Sequence, residues 1–256
     1  MRERLACTAK RLRPEVLTYR KSRLSPASFL SLGRNLPESV MTAIPQATTY
    51  PSAIPAHRRA DIAVHAIGLT LILAAGLALS IKASADLDFT LIAALGVYIL
   101  CVLASNIASS LYHFGPWHHR RVLLRRIDHA AIYPSITGTF TPFFVQADTS
   151  WTWTLLYLCW GLTALAIWNK ITNENVKSRW STASYLGLGA LGLGALPDLT
   201  MVPATSLWCI LSGVTSFVIG TGFYARKTLP FRYAIWHMWV NIGGILMFTG
   251  IWIALF

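Results

Sequence analysis

Uncharged apolar runs close to twenty residues long recur along this sequence. A soluble protein of this length would carry hydrophobic stretches of roughly 5 to 15 residues, whereas about 20 apolar residues in a helix cross the hydrocarbon core of a bilayer. Seven segments of that kind can be placed, at about Ile62 to Ile81, Phe89 to Leu111, Ile127 to Val145, Trp151 to Trp168, Trp180 to Leu196, Met201 to Ala225 and Tyr233 to Phe256. Trp151, Trp168, Trp180, Tyr224 and Tyr233 stand near segment ends, where aromatic side chains anchor a span at the headgroups. The expected fold is all-α: a polytopic membrane protein built as a seven-transmembrane-helix bundle. Only 12% of the residues are charged and 54% are hydrophobic, against about 25% charged in an ordinary soluble domain. The fifth segment has the poorest helix propensity because of Gly187, Gly189, Gly192 and Gly194, which in lipid mark close helix packing.

The net charge of +12 raises the question of nucleic acid, and the placement of the charge answers it. Eleven of the 22 Lys and Arg precede Ala60, and the rest sit in short connections rather than on a polar face. Anionic headgroups are the expected counter-charge, so the expected partners are membrane lipids and not nucleic acid. Alternate loops hold Arg120, Arg121, Arg125 and Arg126, then Lys170, Lys177 and Arg179, then Arg226, Lys227 and Arg232. The loops between them hold Asp86, Asp88, Asp148 and Asp198, with Lys82 their only base. Because Lys and Arg accumulate on the cytoplasmic side, this alternation predicts an amino terminus inside and a carboxyl terminus outside.

Residues 1–57, rich in Arg, Ser, Pro and Thr, read as a disordered basic tail ahead of a transmembrane domain at 58–256. The tail composition also fits an organelle transit peptide, and Met41 is an alternative start of translation. Cys7, Cys101, Cys159 and Cys209 are too scattered for a disulfide framework or a cysteine metal site.

Polar groups inside spans are costly and mark functional sites by default. Here they gather at one expected depth. Asp61 and His65 open the first segment, Asn106, Ser109 and His113 close the second, Asp128 and His129 open the third, and Tyr233, His237 and Asn241 open the seventh. Residues three, four or seven apart share a helix face, so each of the first, second and seventh segments presents one polar stripe. If those stripes meet, imidazoles and a carboxylate surround a small polar cavity of the kind zinc favours. His65, His118, His119 and His129, taken singly, read as headgroup or interhelical hydrogen-bonding histidines; His113, His237 and Asp128 together carry the functional reading.

These residues resemble the hemolysin III family, bacterial relatives of the progestin and adiponectin receptors. The resemblance rests on Ser109-Ser110-Leu111-Tyr112-His113, on Arg125-Arg126-Ile127-Asp128-His129-Ala130-Ala131-Ile132-Tyr133 with Thr137-Gly138-Thr139-Phe140-Thr141-Pro142-Phe143, on Tyr233-Ala234-Ile235-Trp236-His237, and on His65 with Gly68. It implies a zinc ion held by His113 and by two helix-seven positions, of which His237 is retained and the other is Tyr233, with Ser109 and Asp128 beside it. A further histidine of the bacterial relatives is replaced by Met247. A phenol in place of an imidazole weakens a zinc site, so Asp128 or His129 is an alternative ligand.

Two functions follow as expectations. The first is a metal-dependent lipid amide or ester hydrolase in which Asp128 is the general base and Ser109 orients water or the oxyanion. The second is a non-enzymatic lipid or ligand sensor, or a membrane-perturbing cytolysin. The expected location is the bacterial inner membrane.

Overall fold

The computed structural model describes residues 50–173 and 178–256. The expectations for residues 1–49, including the transit peptide and Met41, lie outside the described residues. Among the described residues there are seven α-helices and two short 3-10 turns, with no strand. The helices are α1 (Pro55–Asp86), α2 (Phe89–Phe114), α3 (Arg121–Ala147), α4 (Ser150–Thr172), α5 (Ser178–Leu193), α6 (Ala204–Ala225) and α7 (Arg232–Leu255).

Local chemistry sets their ends. Pro55 takes the first helical position of α1, where its missing N–H costs nothing. The Asp88 carboxylate accepts from the amides of Thr90 and Leu91 to start α2, and Thr149 and Thr152 form a reciprocal capping box at α4. Asp148 adopts a left-handed conformation (φ 49°) that stops α3, and Phe231 does the same (φ 54°) before α7.

Five of these helices, α1, α2, α4, α6 and α7, are long and apolar enough to cross a membrane. The third and fifth are different. The α5 helix has only 16 residues, about 24 Å, and ends in a 3-10 turn at Leu196–Asp198. The α3 helix carries Arg125, Arg126, Asp128 and His129 in its first turns and Pro134 and Pro142 within it. It packs against α2, α4, α5 and α7, which largely covers Asp128 and His129 while Arg125 stays exposed. Helix α1 lies between α2 and α7, and α6 pairs with α7.

Burial is inverted relative to a soluble protein. Leu77, Ile81, Leu100, Tyr157, Trp168 and Trp208 are each more than 60% exposed, whereas Asp61, Thr137, Thr152 and Thr163 are essentially inaccessible. An apolar exterior around polar interior groups is the pattern of a protein whose solvent is lipid. The chain is a multi-pass integral membrane protein. Its apolar core includes Leu79, Leu95, Phe143, Phe144, Leu155 and Ile251.

Of the fifth segment's glycines, only Gly192 makes the expected close approach to a neighbouring helix: a Cβ there would collide with the Phe140 ring of α3. A Cβ at Gly187 or Gly189 would meet nothing, and one at Gly194 would chiefly meet the carbonyl of Leu191 nearby in the chain. A second close approach joins α1 to α7, where a Cβ on Gly68 would lie 2.5 Å from Asn241 Oδ1. That contact brings the polar ends of α1 and α7 together.

Candidate metal centre

Three helices deliver the site. Asp61 and His65 occupy successive turns of α1, Ser109 and His113 successive turns near the end of α2, and Tyr233 and His237 the first turns of α7. The i, i+4 spacing puts each pair on one face, and Asn241 fixes the register of α7 on α1 by donating to the carbonyl of Val64 at 2.9 Å. The end of α2 is held by Arg121, a buried guanidinium that donates to the carbonyls of Tyr112 and Gly115 and lies 3.0 Å from His118 Nδ1. The Tyr50 ring covers this guanidinium, at 5.1 Å, and also Arg58, at 4.6 Å.

Asp61, fully buried, is the centre of the arrangement. The Nδ1–H of His113 donates to its Oδ2 at 2.7 Å, and the Nδ1–H of His237 donates to its Oδ1 at 2.9 Å. The Nδ1–H of His65 donates to the Asp61 backbone carbonyl at 2.8 Å, with Oδ1 3.4 Å away. One carboxylate thus gathers the Nδ1 side of three imidazoles from three helices. A buried carboxylate is tolerated only when so compensated.

The opposite side of the rings faces Ser109, whose Oγ is 3.2 Å from His65 Nε2 and 3.4 Å from His237 Nε2. Asp128 of α3 lies against the same hydroxyl and 4.0 Å from His129. Tyr233 packs edge-on against His113, with ring centres 5.0 Å apart, and is covered by the Arg232 guanidinium. Asn106, one turn before Ser109, keeps a buried Oδ1 that no donor reaches.

One ligand atom each from Asp61, His113 and His237 lies within 4.8 Å of the others. Two imidazoles and a carboxylate are a donor set that zinc accepts. The residues present therefore fit a metal.

The sequence-expected residues fall into place unevenly. The structure brings His113, His237 and Ser109 together, puts Asp128 behind Ser109 and Tyr233 at the rim. Met247 sits in the apolar core, about 15 Å along α7 from His237, so a side chain there does not reach the cluster. In the sequence Asp61 stands in the polar constellation without an assigned role, and His65, taken singly, reads as a headgroup or interhelical hydrogen-bonding histidine. The signal available was their i, i+4 stripe with Gly68, which faces α7.

Comparisons with known proteins agree with this architecture. Residues 57–248 match the family model described as haemolysin-III related. Hemolysin-3 of Bacillus cereus is 32% identical over 193 residues, covering 74% of this chain and 87% of that protein. The Hemolysin-3 homolog of Bacillus subtilis (strain 168) is 31% identical over 191 residues, covering 74% of this chain and 90% of its own length. With the matched region containing every residue of the histidine cluster, the chain belongs to the haemolysin-III related family.

Proposed function

We propose that this protein is a seven-span, inner-membrane member of its family that binds zinc at the histidine cluster and hydrolyses a lipid ester or amide there. The observation that carries the reading is the meeting of His113, His237 and a fully buried carboxylate from three different helices. In this arrangement α3 and α5 complete the bundle, the arginine-rich loops face the cytoplasm, and the cluster opens toward the inner leaflet.

Zinc held by these residues would make a water more acidic and polarise a carbonyl. The protein's own groups supply the rest. The Asp128 carboxylate, next to Ser109, accepts a proton from the attacking water and returns it to the departing alcohol or amine as the carbonyl carbon–oxygen or carbon–nitrogen bond breaks. The Ser109 hydroxyl donates to the oxygen that gains charge. Asp61 holds the imidazoles at their Nδ1 atoms, fixing which nitrogen faces the reaction.

Elemental analysis of purified protein, with His113→Ala and His237→Ala as controls, tests the metal: wild type should contain about one zinc per chain and each variant much less. Lipid profiling of an expression host tests the chemistry, with a zinc-dependent loss of an acyl or amide lipid in wild type and none in Asp128→Asn. Tyr233, a phenol at the rim of the cluster, favours the second reading of a lipid or ligand sensor. Zinc in the protein with an unchanged lipid profile selects that reading.

A further inference from the structure

The hydrogens around Ser109 do not suffice for the acceptors that meet there. A neutral imidazole carries one N–H, and in both His65 and His237 it is used at Nδ1, by the carbonyl and the carboxylate of Asp61. Each Nε2 therefore presents a lone pair, and both point at the Ser109 hydroxyl, 3.2 and 3.4 Å away. The Asp128 carboxyl leans on the same hydroxyl. Ser109 has a single hydrogen to offer, and neither Nε2 has one to give in return.

His113 obeys the same rule. Its Nδ1–H goes to Asp61, so its Nε2 also faces away from the carboxylate. The three rings form a compact triangle, with centres 3.9 Å apart for His65 and His237, 4.9 Å for His113 and His237, and 5.2 Å for His65 and His113. Three imidazoles around a tetrahedral zinc with bonds of about 2.0–2.1 Å have ring centres about 5 Å apart. Two sides of the triangle match that spacing and the His65–His237 side is about 1 Å shorter, with the Nε2 lone pairs on the side of each ring opposite its Nδ1–H.

We infer that the metal is held by three imidazole Nε2 atoms, those of His65, His113 and His237, with Asp61 behind them as a positioning carboxylate rather than a ligand. This rests on the zinc reading above and specifies it. His65 of α1 supplies the third imidazole, and Tyr233, one turn from His237 on the same face and 5.0 Å from the His113 ring, stands outside the coordination shell. Three neutral imidazoles leave the fourth tetrahedral position open toward Ser109 and Asp128, where a water or a carbonyl oxygen would bind. The carboxylate binding the Nδ1–H groups is the arrangement by which outer residues orient metal-binding histidines and raise their basicity.

The test is a zinc titration of the full chain in detergent against a competing chelator, read together with zinc X-ray absorption. Wild type should take up one zinc with three imidazoles in its coordination shell. His65→Ala should bind at least about 100-fold more weakly, and Tyr233→His added to it should recover much of the loss by supplying an imidazole from the neighbouring position. That recovery also shows that the His65→Ala chain folds. Asp61→Asn should weaken binding about 10- to 100-fold, the usual effect of losing an outer carboxylate, yet keep three imidazoles in the absorption spectrum. Wild-type affinity in His65→Ala, or a spectrum with two imidazoles and a carboxylate, overturns the assignment while leaving a zinc site in place. A wild-type protein that takes up no zinc overturns both this assignment and the metal reading on which it rests.

Discussion

Two of the places where the bundle buries polar side chains are built on opposite rules. Between α3, α4 and α5 the groups are hydroxyls and an amine, and each of them has a hydrogen-bond partner. Tyr133 donates to Ser184 at 2.7 Å and Ser184 passes its own hydrogen to the carbonyl of Ser181. Lys170 donates to the Ser181 hydroxyl, Tyr185 to the carbonyl of His129, and the buried Thr137 and Thr163 hydroxyls pair at 2.7 Å. At the meeting of α1, α2 and α7 the groups are imidazoles and carboxylates, and acceptors outnumber hydrogens on the Ser109 face. A satisfied network specifies packing; an unsatisfied one in the same protein calls for a ligand. The seam on α3 to α5 is a structural fastening, and the cluster on α1, α2 and α7 is a site.

The largest effect should come from removing the one group on which the cluster converges. Asp61→Leu leaves the Nδ1–H groups of His113 and His237 buried without an acceptor, and breaking a buried network of this kind costs about 3–5 kcal/mol. Thermal unfolding in detergent should show a marked loss of stability for this variant, with zinc unable to restore it. If Asp61→Leu unfolds like wild type, the carboxylate is not the hub that its contacts make it, and the contrast between the two regions collapses.

A smaller loss is expected at the seam's own contact. Gly192→Ala places a methyl group against the Phe140 ring and should cost about 1–3 kcal/mol through overpacking. Gly189→Ala meets nothing and should be neutral or slightly stabilising, because alanine is the better helix former by about 1 kcal/mol in water. Both should leave zinc uptake unchanged. A Gly192→Ala protein with altered zinc affinity would mean that the packing of α5 on α3 and the metal face are mechanically coupled.

The two regions were also unequally legible in the sequence. Apolar runs locate the helices well, because lipid-facing and core-facing residues are both apolar and the run length reports the bilayer. They locate helix ends poorly: α1 starts at Pro55, two turns before the apolar run at Ile62, since Ala56 to Asp61 is polar and invisible to hydropathy. The α3 helix is visible as an apolar segment only from Ile127, although its backbone begins at Arg121, whose guanidinium serves the end of α2. A common expected depth, together with the family resemblance, marks His113 and His237. It could not rank Asp61 above Asp128, because both stand one turn from histidines or beside them, and only the orientation of α1 between α2 and α7 puts Asp61 in the middle. The hydroxyl pairs of the seam were illegible for the same reason: Thr137 and Thr163 are 26 positions apart and look like ordinary membrane threonines until the helices are packed.

The smallest effect separates the regions most cleanly. Replacing only Thr137 by Val leaves the buried Thr163 hydroxyl without its partner, a loss of about 1 kcal/mol if it turns back to a carbonyl of its own helix and up to about 3 kcal/mol if it does not. Replacing Thr163 as well removes both polar groups while keeping their shape, so Thr137→Val/Thr163→Val should be nearly as stable as wild type. The same logic fails at the cluster, where no pair of isosteric apolar substitutions can relieve a face whose acceptors come from three helices. Thermal unfolding of the single and double threonine variants, with zinc content measured on each, reads both halves of the comparison at once. A double variant less stable than the single would show that the threonine pair contributes net stability rather than specificity. A change in its zinc content would join the two networks across α3, through Asp128, into one.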